Sequence, residues 1–390
     1  MKLKHLLLPI GFCAFIACDK EETHNDNTAQ QQEVVNNYAN MVYANYSDAL
    51  QDAKNLKSAI NDLMELPSES SLTAAKNAWL TARESYGVSE AYRFSSGPID
   101  DADGPEGNLN AWPLDEAYID YVLGNANAGI INNTVDFPVI DKATLLAANE
   151  NGGETNISIG YHAIEFLLWG QDLTDPSAKL AGQRPFTDFV LNSSESIVRR
   201  RTYIQVCAEL LVDQLTDLTA EWASGATFRN DFVTADAAIT LTNILTGPGV
   251  LAKSELAGER VFTAYENRDQ EDEHSCFSDN THRDVRLNLQ GILNVLNGEY
   301  ISDANQVSGG KSFLSLLEAT DAAAANELKA LMETAKTEVE KTAIPFDFAI
   351  SDDNERSQVL VAVNALRNLG DGITESAAKL GLNINTALPE

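Results

Sequence analysis

Residues 35–67, VNNYANMVYANYSDALQDAKNLKSAINDLMELP, determine the fold class of this chain. Apolar side chains recur in this stretch at spacings of three and four residues, at Val35, Tyr38, Val42, Tyr46, Ala49, Ala53, Leu56, Ile60 and Leu63. Such spacing aligns them along one face of a long amphipathic helix. Pro67 cannot continue that helix, and Ser68 or Ser70 can cap the next one. The stretch therefore predicts two consecutive helices joined by a short turn.

The same periodicity dominates the rest of the chain. Further long helices are predicted at about residues 186–222, 235–265, 321–341 and 356–380, whereas strand-like alternation is scarce. Loops rich in glycine, asparagine and aspartate lie between helices, notably at residues 95–110 and 268–280. Long helices paired through turns predict an all-α fold built from helical bundles.

A faint internal repeat indicates how these helices are divided. Two short matches, each followed by an acidic loop, carry it: Ser89, Glu90 and Arg93 in one helix, and Ser254, Glu255, Glu259 and Arg260 in another. Proline and glycine cluster between them, at Pro176, Gly182 and Pro185. We therefore expect two similar four-helix-type bundles side by side, at residues 33–178 and 183–390, derived from an internal duplication. Coincidence between two short matches is the alternative.

The N-terminus has the features of a secretory signal. Lys2 and Lys4 precede an apolar stretch from Leu6 to Ala17 that is too short to span a bilayer. This stretch ends at Cys18 and resembles a bacterial lipobox, so residues 1–17 are predicted to be a lipoprotein signal peptide and Cys18 the lipidated residue; an ordinary signal peptide is the alternative. Residues 18–32 are polar and acidic, which predicts a flexible tether. The acidic residues after Cys18 also resemble a surface-export signal of such lipoproteins.

Composition narrows the classes of partner and the cellular location. The net charge of −31 argues against nucleic acid, because phosphate binding needs a basic surface. No later stretch is long and apolar enough to span a membrane, so membrane contact is expected through the lipid anchor only. We expect a cell-envelope lipoprotein of the outer membrane, facing either the periplasm or the cell surface. In that oxidising compartment Cys207 and Cys276 are predicted to form a disulfide, with two separate thiols as the alternative.

Two segments carry residues that could bind a metal. His162 and Glu165 are three residues apart in an otherwise apolar stretch, so on a helix they share one face and could hold a metal ion together. A hydrogen-bonded buried pair would explain them equally well. The second segment is an acidic cluster that combines carboxylates with imidazoles and suits iron, manganese or zinc: Glu271, Asp272, His274, Asp279 and His282. A solvated acidic loop is its simpler interpretation.

Several ordered motifs resemble the imelysin family. GYHAIEFLLWG at residues 160–170 is similar to the GxHxxE signature of that family. The runs SELAGER at residues 254–260 and EDEHSCFSDNTH at residues 271–282 resemble its iron-regulated protein A branch. The short motifs at residues 92–94, 97–100 and 111–113 do so as well.

The resemblance implies a fold, a site and a function. It implies two similar helical bundles with the signature residues Gly160, His162 and Glu165 near the groove between them. Further residues of that groove would be Ser89, Glu90, Arg93 and Asp100 from one bundle and Ser254, Glu255, Glu259 and Arg260 from the other. Since hard cations prefer carboxylates, Glu90 and Asp100 are expected to complete the metal site of His162 and Glu165.

Three functions remain open on the sequence alone. The resemblance favours binding of iron, or of an iron-bearing small ligand, for iron acquisition, with a membrane iron transporter as a further partner. Zinc or another divalent ion could replace iron, and haem remains open. Founding members of the family were described as insulin-cleaving metallopeptidases, but a zinc hydrolase needs about three protein ligands and a general base, which this spacing does not supply. A metal-free interaction role is the third alternative.

Overall fold

The fold is all-α, as the periodicity predicts. The computed structural model describes residues 21–102 and 104–388, with side chains from residue 28 onward. Of the described residues, 67% are helical and 2% are in strands. No helix among the described residues is both long and apolar enough to cross a membrane. The predicted signal peptide and Cys18 lie outside the described residues, so those expectations stay predictions.

The N-terminal half contains three long helices separated by short ones. Helices α1 and α2 span Glu21–Glu65 and Glu69–Ser89, and α8 spans Glu195–Glu221. Ser68 caps α2 in a reciprocal capping box with Ser71, which confirms one of the two predicted caps. Between α2 and α8 lie five shorter helices: α3 (Glu106–Leu109), α4 (Glu116–Ile119), α5 (Gly129–Asn132), α6 (Lys142–Ala148) and α7 (Gly160–Trp169).

The C-terminal half continues with helices and one small hairpin. Its helices are α9 (Thr227–Thr234), α10 (Ala237–Val250), α11 (Thr263–Asn267), α12 (Thr281–Asn297), α13 (Phe313–Thr320), α14 (Ala322–Glu340), α15 (Phe346–Ser351) and α16 (Arg356–Lys379). Strands β1 (Glu299–Ile301) and β2 (Val307–Gly309) pair antiparallel. The predicted helix at 186–222 is shorter in the structure, because residues 186–189 form a separate 3-10 turn.

A π-helical segment, Leu251–Phe262, joins α10 to α11. Pro248, inside the last turn of α10, has no N–H to donate, which disrupts the regular α-helical pattern just before the segment. In a π-helix the hydrogen bond runs to the fifth residue, so residues five apart share a side of the helix. Glu255 and Arg260 are such a pair, and Arg260 Nε donates to Glu255 Oε1 at 3.0 Å. The π-helical winding therefore places two predicted groove residues next to each other.

The predicted tether at residues 18–32 is wrong from residue 21 onward, because α1 begins at Glu21. Residues 21–32 contain no glycine or proline to interrupt a helix. Gln31 is buried, and Gln32 Nε2 donates to the Val233 carbonyl at 2.6 Å. The end of the expected tether is therefore docked against the end of α9.

Two groups of helices surround one continuous hydrophobic core. Helices α1, α2, α7 and α8 pack together, whereas α12, α14, α16 and the π-helical segment form a second group. Helix α12 also packs against α2. Buried apolar side chains of both groups form one connected cluster, whose members range from Val34 in α1 to Leu382 after α16. The division at residues 178–183 and the duplication remain predictions. Because α8 packs against α1, it belongs to the first group of helices, which favours a boundary between the two bundles after α8.

The predicted disulfide is wrong, because Cys207 and Cys276 are separate thiols. Cys207 is fully buried on α8, where its Sγ lies 3.6 Å from the Ser158 carbonyl. Cys276 lies in the loop before α12 and packs against the core near Glu165 and Glu271. Burial raises the pKa of both thiols, so both favour the protonated form. The two cysteines therefore occupy different surroundings: Cys207 is a core residue, and Cys276 is a half-buried residue packed against the core.

Candidate metal centre

Helix α7 presents the GxHxxE motif from inside the core. All of its residues are buried, and Trp79 Nε1 on α2 donates to the Tyr161 carbonyl at 2.9 Å. The helix begins at Gly160, whose φ is +90°. A Cβ at this position would lie 2.7 Å from the Leu109 carbonyl oxygen. Only glycine allows this conformation and this close approach of the Leu109 backbone without strain.

His162 and Glu165 contact each other directly. His162 Nδ1 lies 2.9 Å from Glu165 Oε2, while Glu165 Oε1 accepts hydrogen bonds from Ser278 N at 3.0 Å and Ser278 Oγ at 2.6 Å. Burial lowers the pKa of His162 to about 3 and raises that of Glu165 to about 8, so the imidazole is neutral at pH 7. His162 Nε2 is buried and has no hydrogen-bond partner. Both oxygens of Glu165 are occupied, whereas one nitrogen of His162 is available to a ligand.

A second buried histidine lies against the first. The rings of His162 and His274 are 4.7 Å apart, centroid to centroid, in an edge-to-face arrangement. His274 Nδ1 lies 2.9 Å from Asp284 Oδ2, which also accepts from Ser275 Oγ at 2.5 Å. Burial, with a contribution from Arg260, lowers the pKa of His274 to about 3. Each neutral imidazole therefore has a carboxyl group at Nδ1: the ionised Asp284 at His274, and Glu165, whose raised pKa favours its protonated form, at His162. A carboxylate at Nδ1 is the arrangement that orients histidine ligands of metals.

The Asp284 carboxylate is held in place by Arg83. Arg83 Nη2 lies 3.0 Å from Asp284 Oδ1, and both side chains are almost fully buried. Burial alone would raise the pKa of Asp284, but Arg83 and the hydrogen bonds from His274 and Ser275 lower it well below its usual range. Arg83 Nη1 also donates to Asn110 Oδ1 at 2.5 Å, and Asn110 Nδ2 lies 3.5 Å from His274 Nε2. An ionised Asp284 accepts from His274 Nδ1–H, which leaves a lone pair on Nε2.

An ion-pair network continues from these histidines. Glu90 is buried, and its Oε2 accepts from Arg260 Nη2 at 2.6 Å. Burial alone would raise the pKa of Glu90, but the charges of Arg260 and Arg93 bring it below its usual value. Arg93 in turn lies 3.2 Å from Asp100 and 3.1 Å from Glu106. These pairs fix the charged side chains before any ligand arrives.

A small polar cavity of about 170 Å³ opens at His274. Its walls come from both predicted bundles, namely Arg93, Glu106, Asn110, Ala111, Trp112 and Glu150 from the first and Glu255, Arg260 and His274 from the second. Burial raises the pKa of Glu106 to about 7, although Arg93 opposes that shift. Trp112 Nε1 donates to the Glu273 carbonyl at 2.6 Å, which ties the cavity wall to the loop that carries His274. A larger cavity of about 560 Å³ lies beyond the end of α7 and is not lined by either histidine.

The structure does not gather the four predicted metal ligands into one group. Glu90 is paired with Arg260, and Asp100 accepts from Arg93 Nε and from the Phe94 N–H at 2.6 Å. His162 instead meets His274, which sequence analysis assigned to the separate acidic cluster. The cause is tertiary: Arg93 and Arg260 neutralise the carboxylates, and the loop before α12 folds back onto α7.

The predicted groove residues divide in a similar way. Arg93, Glu255 and Arg260 line the cavity, and Ser89 is buried beside Glu90, with its Oγ donating to the Tyr86 carbonyl. Ser254 instead donates to the Thr386 carbonyl at 2.5 Å, and Glu259 is exposed. These two residues do not line the cavity.

The second predicted cluster is split as well. His274 joins the first histidine, whereas Asp279 lies with Asp172 and Asp347. Glu271 lies near Glu116, and burial raises its pKa to about 7. Asp272 accepts from Asn267 Nδ2 at 2.7 Å, and His282 Nδ1 is 2.9 Å from the Asp279 carbonyl. Glu271, Asp272 and His282 are therefore outside the cavity.

Sequence reasoning missed Arg83, Asn110 and Asp284. A signal existed for Arg83, because Trp79, Arg83 and Tyr86 share one face of α2 and a charged residue on an apolar stripe requires a buried partner. No comparable signal marks Asn110 or Asp284, which meet Arg83 only through the tertiary fold.

Comparison with known proteins places the chain in a family. The sequence model of the imelysin family matches residues 42–372, most of the chain, so this protein belongs to the imelysin family. It is similar to iron-regulated protein A of Synechococcus elongatus, with 22% identity over 350 residues, which cover 87% of this chain and 83% of that protein. Its fold matches a crystal structure described as an iron-regulated protein A precursor from Parabacteroides distasonis. That match has a TM-score of 0.70 and 18% identity, and covers 90% of this chain and 95% of the other.

Proposed function

We propose that this imelysin-family protein binds an iron ion as its cargo in the cavity beside His162 and His274. The observation that carries the proposal is the pair of adjacent buried imidazoles, each with a carboxyl oxygen 2.9 Å from its Nδ1. That arrangement fixes the direction of Nε2, the nitrogen through which such histidines bind metals. His162 Nε2 is buried without a partner, a cost that a bound ligand would relieve.

The size of the cavity limits what the ligand can be. A water molecule occupies about 30 Å³ of liquid, so a cavity of about 170 Å³ holds on the order of five waters. Pockets for drug-sized ligands measure about 300–1,000 Å³, so haem or a large iron chelate does not fit without rearrangement. A partly hydrated iron ion, or a very small chelate of it, matches the volume.

The charges of the cavity favour a cation. Its lining carries the carboxyl groups of Glu106, Glu150 and Glu255 and the guanidinium groups of Arg93 and Arg260. Glu106, with a pKa of about 7, is partly protonated, but the buried Glu90 adds a carboxylate that is paired with Arg260. Imidazole nitrogens and carboxylate oxygens together are ligands that suit iron. Neutral imidazoles are the form that binds metal, and burial keeps both of them neutral at pH 7.

Glu165 has a different role in this proposal than the sequence predicts. Its two oxygens contact His162 Nδ1 and Ser278, so it orients His162 instead of binding the ion. The motif His-x-x-Glu then consists of a ligand and the residue that positions it.

The relatives of this chain support an iron-related role for the proposed activity. An iron-regulated protein A is similar in sequence, and a crystal structure of that description shares the fold. We propose that the protein is a lipoprotein of the outer membrane, processed at Cys18, which passes iron to a membrane transporter. The carboxylate-rich cavity is the part of the molecule that would receive and release the ion.

Anaerobic calorimetric titration with ferrous iron tests the proposal. We expect His162→Ala and His274→Ala each to weaken iron binding at least about tenfold, which corresponds to about 1.4 kcal/mol. His282→Gln is the matched control, because His282 lies outside the cavity, and it should retain the wild-type affinity. Wild-type affinity in both alanine variants, with their helical content intact, would contradict the proposal.

No observation favours the metallopeptidase alternative. A zinc hydrolase needs about three protein ligands and an open water position. In the described part of the chain, the one group of three metal-ligating side chains is Asp172, Asp279 and Asp347, which contains no histidine.

A further inference from the structure

A group of three aspartates lies outside the cavity described above. Oxygens of Asp172, Asp279 and Asp347 all lie within 4.8 Å of one another. They come from three separate parts of the chain: Asp172 follows the end of α7, Asp279 has a left-handed backbone just before α12, and Asp347 lies in the first turn of α15. Such a spacing of oxygens can surround a single cation.

Unpartnered carboxylate oxygens point independently to a missing ligand. Asp347 is 2% exposed, and its Oδ1 is buried without a hydrogen-bond partner. Glu273 is 1% exposed, and neither of its oxygens has a partner. The charges of Asp172, Asp279 and Asp347 all act on Glu273, so it lies near this group, although its oxygens are not among those within 4.8 Å of one another. Buried carboxylates without partners are costly unless a proton or a cation neutralises them.

No basic side chain of the described residues neutralises this group by direct contact. Lys179 is the cation whose charge acts on Asp347, but its Nζ lies over the Phe348 ring, 3.7 Å from the ring centroid. Burial and mutual repulsion raise the pKa of Asp279 to about 8 and that of Asp347 to about 6. A negative charge on Glu273, Asp279 or Asp347 is therefore costly in the absence of a cation.

We propose that Asp172, Asp279 and Asp347 form a second metal site, which binds a hard divalent cation, namely calcium. The nearby Glu273 would add negative charge to this site. All donors are oxygens, and calcium binds six to eight oxygens in flexible geometry, including carboxylates, carbonyls and waters. The absence of imidazole or thiolate separates this site from the iron cavity, where His274 supplies nitrogen.

A cation in this site would stabilise the loop before α12, which carries His274 of the proposed iron cavity. Ser278, which donates two hydrogen bonds to Glu165, directly precedes Asp279. His274 directly follows Glu273 in the same loop. A bound cation would tie this loop to the end of α7 and to α15, and so hold both histidine supports in place. The proposal does not depend on iron binding at His162, because its test measures calcium and folding stability.

Thermal unfolding with and without calcium tests the site. We expect millimolar calcium to raise the Tm of the EDTA-treated protein by several degrees, since a ligand that binds only the folded state stabilises it. Asp347→Asn and Asp172→Asn should abolish this rise. Asp347→Asn should also raise the Tm of the metal-free protein, because it removes repulsion between carboxylates.

The matched control is Asp217→Asn, which neutralises an exposed carboxylate on α8 and should keep the full calcium effect. Magnesium in place of calcium should give a smaller rise, because it demands octahedral geometry and retains its waters. No calcium effect on the wild-type Tm, or an undiminished effect in Asp347→Asn, would overturn the proposal. A full iron affinity in Asp347→Asn together with a lost calcium effect would show that the two sites are separate.

Discussion

Gly160→Ala should destabilise the protein more than its backbone conformation alone explains. Gly160 has φ +90°, a region that costs an L-residue about 1–2 kcal/mol. The added Cβ would also lie 2.7 Å from the Leu109 carbonyl oxygen and 3.0 Å from the Asn108 carbonyl oxygen. Overpacking of this kind costs about 1–3 kcal/mol. We therefore expect a total loss of roughly 2–5 kcal/mol in the free energy of unfolding.

A matched glycine separates the two effects. Gly124 has φ +85°, but a Cβ there would meet no atom within 4 Å. Gly124→Ala should therefore lose only the conformational cost of about 1–2 kcal/mol. Urea unfolding of both variants, followed by circular dichroism, measures the difference. Equal losses in the two variants would refute the close approach of α7 to the Leu109 backbone.

Four further predictions concern buried charge and the cysteines. Asp120→Asn should cost about 3–5 kcal/mol in urea unfolding, because it leaves the buried Arg184 and Arg200 without their shared carboxylate; a loss below 1 kcal/mol would contradict this. Burial alone would raise the pKa of Asp120, but these arginines lower it, so its contribution to stability is present above pH about 4 and is lost as the pH falls further. The unfolding free energy of the wild type should therefore fall more steeply between pH 5 and pH 3 than that of Asp120→Asn, and equal slopes would argue against this role. Alkylation of the denatured but unreduced protein, followed by peptide mass spectrometry, should find Cys207 and Cys276 both modified, whereas a linked peptide pair would restore the disulfide. Mass spectrometry of the mature protein should find a lipidated Cys18 at the N-terminus, and an unmodified N-terminus elsewhere would exclude it.

The sequence predicts local structure well where the spacing of residues within one helix determines it. The three- and four-residue spacing in α1, the cap at Ser68 and the shared face of His162 and Glu165 all follow from local geometry. The tether was the exception, because its polar composition suggested disorder. In the structure Gln32 makes a tertiary contact with Val233 and the helix extends through the segment.

The assembly of the site depends on contacts that are distant in sequence. Arg83 and Asp284 are 201 residues apart, and His274 meets His162 only because the acidic loop folds back onto α7. No spacing in the sequence distinguishes the carboxylates that arginines neutralise, such as Glu90, from those that lack a partner, such as Glu273. Chemistry-bearing segments were therefore predictable, whereas the groups that their residues form required the fold.

Anomalous X-ray scattering tests the central claim most directly. Crystals grown anaerobically with ferrous iron would be measured on both sides of the iron absorption edge. We predict an iron peak at bonding distance from Nε2 of His274 or His162, inside the cavity lined by Glu106 and Glu255. A peak only among Asp172, Asp279 and Asp347, or no peak near either histidine at full iron loading, would contradict the account.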